Sequence, residues 1–286
     1  ISMPTGGGKS LVTHVLGYEK NGLSVVIVPT VSLAIDQERA ARTNIKCYKE
    51  GEIYCYYNGI KNFKEIKTAI EQRIARLLFI SPEALIKNEQ FSELISKANM
   101  DRYLKNIIID EAHIVVAWGD FFRVDYQCVS PWRNELLKVN PELRTYLLSA
   151  TYRDETVLSL KHLFAINNDW IEIRCDSLRK EPRFIYSKAK NYSDKRKKVL
   201  DMVNKLPHPM ILYVNAPYEA DQWKDYLENK GFSNINTFTG DTKANERRDL
   251  IDNWVNNKFD LMIATSAFGV GVDKPDVRSV VHLYMP

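Results

Sequence analysis

Met3-Pro4-Thr5-Gly6-Gly7-Gly8-Lys9-Ser10, read with Ile107-Ile108-Ile109-Asp110-Glu111-Ala112-His113 far downstream, decides the fold of this chain. The first stretch is suited to cradling phosphates. Glycines at 6, 7 and 8 remove every Cβ that would hold a phosphate away, and their backbone N–H groups can converge on its oxygens. Lys9 is placed for the outer phosphates and the Ser10 hydroxyl for a metal ion. In the second stretch an apolar run delivers two carboxylates to a strand end. Asp110 would hold Mg²⁺ together with Ser10, and Glu111 would orient or deprotonate the attacking water. The pair of stretches implies hydrolysis of a nucleoside triphosphate, with ATP and Mg²⁺ as cofactors. His113 fits coupling to Ser149-Ala150-Thr151 better than chemistry of its own.

Outward from these stretches one unit recurs: a short apolar strand, a polar motif at its end, then a helical stretch. Val25–Val28 runs into Pro29-Thr30, Leu77–Ile80 into Ser81-Pro82-Glu83, and Tyr146–Leu148 into Ser149-Ala150-Thr151. The runs are continuous rather than alternating, which predicts strands buried on both faces of a parallel sheet. Residues 62–76 supply one predicted crossover helix. Ligands of such sheets sit beyond the carboxyl ends of the strands, so the motifs are expected on one edge. A break without periodicity, residues 177–194, reads as a linker around Arg179-Lys180-Glu181-Pro182-Arg183. The unit then resumes with Met210–Val214 ending at Asn215, a helix over 220–230 stopped by Gly231, Ile235–Phe238 before Thr239-Gly240-Asp241, Leu261–Ala264 before Thr265-Ser266, and Val280–Leu283. The expected organisation is α/β: a first lobe over 1–176 and a second over 195–286, incomplete at its C-terminal end. Each is a mainly parallel sheet flanked by helices.

Composition narrows the class without naming a function. The 286 residues, 45% hydrophobic and 27% charged, suit an ordinary globular protein of about two domains. No apolar run is long enough to span a membrane, and no charged-then-apolar leader stands at the start, so a cytoplasmic or nucleoid-associated location is expected. A net charge of +4 permits a nucleic-acid partner without requiring one. Cys47, Cys55, Cys128 and Cys175 are scattered without zinc-ligand spacing. Lys195-Arg196-Lys197-Lys198 reads as a solvated helix face.

With both halves in view the chain resembles the motor of a RecQ-like superfamily-two helicase along nearly its whole length. Met3 to Ser10 is the RecQ-type phosphate loop. Val28-Pro29-Thr30, with Ser32-Leu33 and Asp36-Gln37, resembles a motif that holds single-stranded DNA. Phe79-Ile80-Ser81-Pro82-Glu83 resembles the next strand-end motif. Trp118-Gly119, Phe122-Arg123 and Tyr126 match the aromatic-rich loop, although Asp120-Phe121 replaces a His-Asp pair and Val124 a proline. Ala264-Thr265, Ala267-Phe268-Gly269, Gly271 and Asp273-Lys274-Pro275-Asp276-Val277-Arg278 are close to motif V.

The resemblance implies two RecA-like lobes that hydrolyse ATP to move on single-stranded DNA, with 3′-to-5′ polarity, and to unwind tailed duplexes. A DNA-dependent ATPase or translocase inside a repair or defence assembly, without strand separation, is the alternative. It assigns Lys9, Asp110, Glu111 and His113 to catalysis. Thr5, Gly6, Gly7, Gly8, Lys9, Ser10, Gly271 and Asp273 go to nucleotide binding, and Ser10 and Asp110 to the metal. Pro29, Thr30, Gln37, Trp118, Phe122, Arg123, Asn215, Thr239, Gly240 and Thr265 go to nucleic acid. The resemblance also places an adenine-reading glutamine motif before Ile1, and an arginine finger worth about 10³–10⁵ in rate after Pro286.

Overall fold

In the computed structural model, which describes all residues except 20, 58–59, 61, 117–123, 167–168, 176–180, 269–273 and 285–286, the chain divides into two compact units, Ile1–Pro182 and Arg183–Pro286. The first carries, in order, α1 (Lys9–Glu19), β1 (Leu23–Ile27), α2 (Val31–Asn44), β2 (Ile53–Tyr56), α3 (Phe63–Glu71), β3 (Leu77–Ile80), α4 (Pro82–Lys87), α5 (Glu89–Met100), β4 (Leu104–Ile109), α6 (Val124–Gln127), α7 (Val129–Val139), β5 (Arg144–Leu147) and α8 (Asp154–Phe164). A 3₁₀ turn, Ala112–Val116, follows β4. The second unit carries α9 (Tyr192–Lys205), β6 (Met210–Tyr213), α10 (Pro217–Glu228), β7 (Ile235–Phe238), α11 (Ala244–Val255), β8 (Leu261–Ala264) and β9 (Ser279–His282).

Among the described residues the first sheet has the order β2-β3-β1-β4-β5 and the second β7-β8-β6-β9. Every pairing between these strands is parallel. The continuous apolar runs are explained by what each face meets. Ile107 and Ile109 join Val25, Ile27, Leu78 and Ile80 in one core layer, while Ile108 joins Val26, Leu77 and Phe79 in the layer on the other side. In the second unit Met210, Leu212 and Ile263 face one layer, and Ile211 and Met262 the other. Successive strand side chains point to opposite faces, so helices on both sides demand apolar residues at every position.

Several strand ends shift by one to three residues from the sequence reading, and two helices and one strand also depart from it. The helix expected over 62–76 ends at Glu71, because Arg73 takes a left-handed conformation (φ 59°) that closes it. The helix expected over 220–230 starts earlier, at Pro217, where proline sits in the first helical turn, and closes at Glu228 before Gly231 (φ 93°). Strand β2, Ile-Tyr-Cys-Tyr, is fully buried but short and rich in tyrosine, and the sequence reading gave it no element.

The phosphate loop enters from a strand extension. Ser2 forms parallel bridges to Ser149, just beyond β5, and to Arg174. Met3 N–H donates to the Ser149 carbonyl at 3.1 Å, and Ser2 N–H to the Ile173 carbonyl at 2.8 Å. Residues on either side thus fix the chain leading into Thr5–Gly8. No helix of the described residues is long and apolar enough to cross a membrane.

Candidate active site

The loop geometry follows from its glycines. Gly6 and Gly8 have φ of 77° and 100°, which side chains resist. At Gly7 a Cβ would lie 2.8 Å from the Pro4 carbonyl oxygen, the atom its own N–H bonds at 2.8 Å. Thr5, Gly6, Gly7 and Ser10 are exposed, and α1 begins at Lys9, so the loop lies on a helix N-terminus that favours anions. Lys9 is half-buried, and its Nζ donates to the Met3 carbonyl at 3.3 Å, folding the ammonium over its own loop.

The acidic pair stands at the end of β4. Asp110 N–H continues the ladder to the Ile27 carbonyl at 2.9 Å, and Ala112 N–H donates to Leu148 at 2.9 Å. Between them Glu111 is held at φ 49°, a left-handed conformation that costs a non-glycine residue about 1–2 kcal/mol. The turn aims its carboxylate at a cluster. Glu111 Oε2 lies 3.2 Å from His113 Nδ1 and accepts from Ser149 Oγ at 3.4 Å, and His113 Nδ1 is 2.9 Å from Ser149 Oγ. Ser149 Oγ also accepts from Thr151 N–H at 3.2 Å. His113 therefore touches Ser149 directly, and Ser149 carries the phosphate-loop strand on its backbone.

Electrostatics separates the two carboxylates. Burial, with the Glu111 charge adjacent, pushes Asp110 up to about 6, against the pull of its bond from Glu111 N–H and of Lys9 and His113. Burial also acts upward on Glu111, but His113, Lys9 and Ser149 outweigh it and leave that carboxyl below its usual range. The Lys9 charge thus acts on both acids, linking the two stretches across the sheet edge. Among the described residues no group of three or more His, Cys, Asp or Glu could hold a metal ion. A hydroxyl and one unneutralised carboxylate fit Mg²⁺, which takes few protein oxygens and completes its shell with phosphates and water.

The sequence reading missed Tyr152. Its buried hydroxyl is pushed upward by burial first and by the Glu111 and Asp110 charges second. Only its position after Ser149-Ala150-Thr151 could have signalled it.

The residues assigned to nucleic acid fall in several settings. Thr30 caps α2 by accepting from Leu33 N–H at 3.2 Å, Pro29 is buried, and Gln37 is half-buried on α2. Asn215, Thr239 and Thr265 stand at the carboxyl ends of β6, β7 and β8. Asn215 and Gly240 are exposed, whereas Thr239 and Thr265 are buried and the Thr239 hydroxyl is taken up by Asp241 N–H at 3.2 Å. Tyr126, read with the aromatic loop, is fully buried among the core residues of the first lobe and cannot stack on a base. Trp118, Phe122, Arg123, Gly271 and Asp273 lie outside the described residues. In the basic cluster, Arg196 lies 5.1 and 4.5 Å from the Tyr192 and Tyr226 ring centroids, and Lys198 faces Asp194 at 3.7 Å.

Residues 1–160 match the family described as DEAD/DEAH box helicase. The chain belongs to that family. Residues 194–286 match the helicase conserved C-terminal domain. The chain is 28% identical to the probable ATP-dependent DNA helicase RecS of Bacillus subtilis, an alignment covering 99% of this chain and 54% of RecS. It is also 28% identical to the RecQ-like DNA helicase BLM of Xenopus laevis, over 100% of this chain and 21% of BLM. It therefore spans about half or less of these relatives' lengths. Among solved structures, S. cerevisiae Dbp5 bound to RNA and ADP BeF3 superposes with a TM-score of 0.67 at 16% identity, covering 100% of this chain and 70% of Dbp5. That likeness extends over both lobes, which are RecA-like α/β units.

Proposed function

We propose that this chain is the motor of an ATP-dependent DNA helicase, which hydrolyses ATP to translocate on single-stranded DNA and to unwind duplexes. The observation that carries the reading is the cluster at one sheet edge, where Glu111, His113 and Ser149 meet and the Lys9 charge acts on both acids. Backbone N–H groups of Gly6–Ser10 and the Lys9 ammonium would grip the nucleotide phosphates. Glu111 would take the proton of the attacking water, oriented by His113 and Ser149. Mg²⁺, held by Ser10 and Asp110, would neutralise phosphate charge when bound. Exposed Asn215 and Gly240, with Gln37 and Thr30, would meet the DNA backbone, with the 3′-to-5′ polarity that the family resemblance implies.

The test is ATP turnover with and without single-stranded DNA, and strand separation on duplexes tailed at either end, in DNA and RNA versions. DNA-stimulated turnover with unwinding of the 3′-tailed DNA duplex is the expected result. Stimulation without unwinding would make the protein a translocase, and no stimulation by DNA would end the motor reading.

A further inference from the structure

The edge of the first lobe opposite the nucleotide loop carries a recess of about 340 Å³ that the helicase reading leaves unused. It forms where the turns into β1, β3 and β4 meet, and is lined by Arg73, Arg76, Arg102 and Lys105 with Asp101 and Tyr103. Its cations are poorly neutralised. Arg76 meets Glu52 at 3.3 Å, but Asp101 reaches Arg73 only at 3.8 Å, with both side chains at least half exposed. Arg102 bonds the neutral Asn140 side chain. Among the described residues, neither Arg102 nor Lys105 has a carboxylate partner.

Backbone conformation adds a second observation. Arg73 (φ 59°) and Arg102 (φ 57°) each follow a helix end in a left-handed conformation, a position usually taken by glycine. The turns close with Ile74 N–H donating to Ala69 at 2.8 Å and Tyr103 N–H to Ala98 at 2.9 Å. Keeping a side chain there costs about 1–2 kcal/mol at each position. Attraction to the helix C-terminal dipoles offsets part of that cost. It does not account for Arg76, which leads into β3, or for Lys105, which lies within β4. Gly22 keeps the floor low, since a Cβ there would lie 2.5 Å from both Lys105 Cγ and the Tyr103 carbonyl oxygen.

We propose that this recess is an anion site for a small polyphosphate, gripped at once by guanidinium groups from the turns into β3 and β4 and by the ammonium of Lys105 at the start of β4. Cations converging on a concavity suit a compact ligand with several charged oxygens, whereas a nucleic-acid backbone follows an extended stripe. The site is separate from the nucleotide loop, because β1 and β4 present the recess at their amino ends and Asp110 beyond the carboxyl end of β4.

Titration calorimetry of inorganic tripolyphosphate into the full chain, with ADP already saturating the nucleotide loop, tests the proposal. The expected result is a further site, weakened at least ~10-fold in Arg102→Ala/Lys105→Ala while ADP affinity and melting temperature are kept, and weakened by salt. Absence of that site, or equal affinity in the double variant, overturns it. Should the double variant melt early, Lys105→Gln alone carries the test: a loss of at least ~3-fold supports the site and unchanged affinity overturns it. Displacement of tripolyphosphate by excess single-stranded DNA would also overturn the proposal and make the recess a backbone contact.

Discussion

The two lobes share one architecture and use it for different chemistry. In both, parallel strands end in loops along a single edge. In the first lobe those loops carry an ammonium, two carboxylates and an imidazole, with Glu111 held at φ 49° and Asp110 pushed up to about 6. In the second the residues assigned to nucleic acid, Asn215, Thr239, Gly240 and Thr265, are neutral and two are buried, with charged Asp241 and Arg247 beside them. The sheets set the positions, and the loop residues set what can be done there. Among the described residues, the buried, strained acid pair stands at the strand ends of the lobe proposed to do chemistry, while the neutral donors and acceptors of the other suit gripping a strand that must be released.

Lys9→Ala should break the comparison most severely. Loss of the charged phosphate contact is expected to lower ATP turnover on the order of 10³-fold. Turnover within a factor of about 3 of wild type would detach the first lobe from nucleotide chemistry. Glu111→Gln keeps shape and removes the base, so hydrolysis should fall roughly 10²-fold while nucleotide and DNA still bind. A parallel loss of nucleotide affinity, measured by calorimetry, would make Glu111 a structural residue.

Asp110→Asn sharpens the contrast through stability. With its carboxyl raised to about 6, ionised Asp110 weakens the nucleotide-free fold at neutral pH. The amide should therefore melt later, by about 1–2 kcal/mol. That advantage should shrink as pH falls through 6 toward 4, where the wild-type carboxyl becomes neutral as well. Thermal melts at pH 7.5 and pH 4.5 showing the same difference would refute the electrostatic account. The smallest effect is expected in the second lobe, where Thr265→Val should leave basal hydrolysis intact and cut DNA stimulation about 3-fold. An equal fall in basal and stimulated rates would assign Thr265 to the shared chemistry instead.

Much of the fold is legible in the sequence because burial on both faces leaves a strong mark. Ile107-Ile108-Ile109 and Leu261-Met262-Ile263 read as strands since both their neighbouring layers are apolar. β2 was not legible, because Tyr54 and Tyr56 bury their rings while Asn88 supplies a partner for the Tyr56 hydroxyl, a contact 32 residues away. The early end of α3 was hidden for a related reason: nothing local forces Arg73 into a left-handed turn. In the site, Lys9, Asp110 and Glu111 were readable from chemistry and spacing. The contact of His113 with Ser149 follows the expected coupling, whereas the approach of Glu111 to Ser149 depends on β5 lying beside β4, and the place of Tyr152 on the turn that follows, neither of which a linear pattern specifies.

The strand that feeds the phosphate loop has a consequence for biosynthesis. Ser2 is clasped between Ser149 and Arg174, so its neighbours emerge from the ribosome only after nearly the whole first lobe has been made. Contacts this distant in sequence close late and slowly. A growing chain therefore carries its glycine loop without a frame to hold it until Ser149 and Arg174 have been made, and a competent phosphate pocket waits for the rest of the lobe.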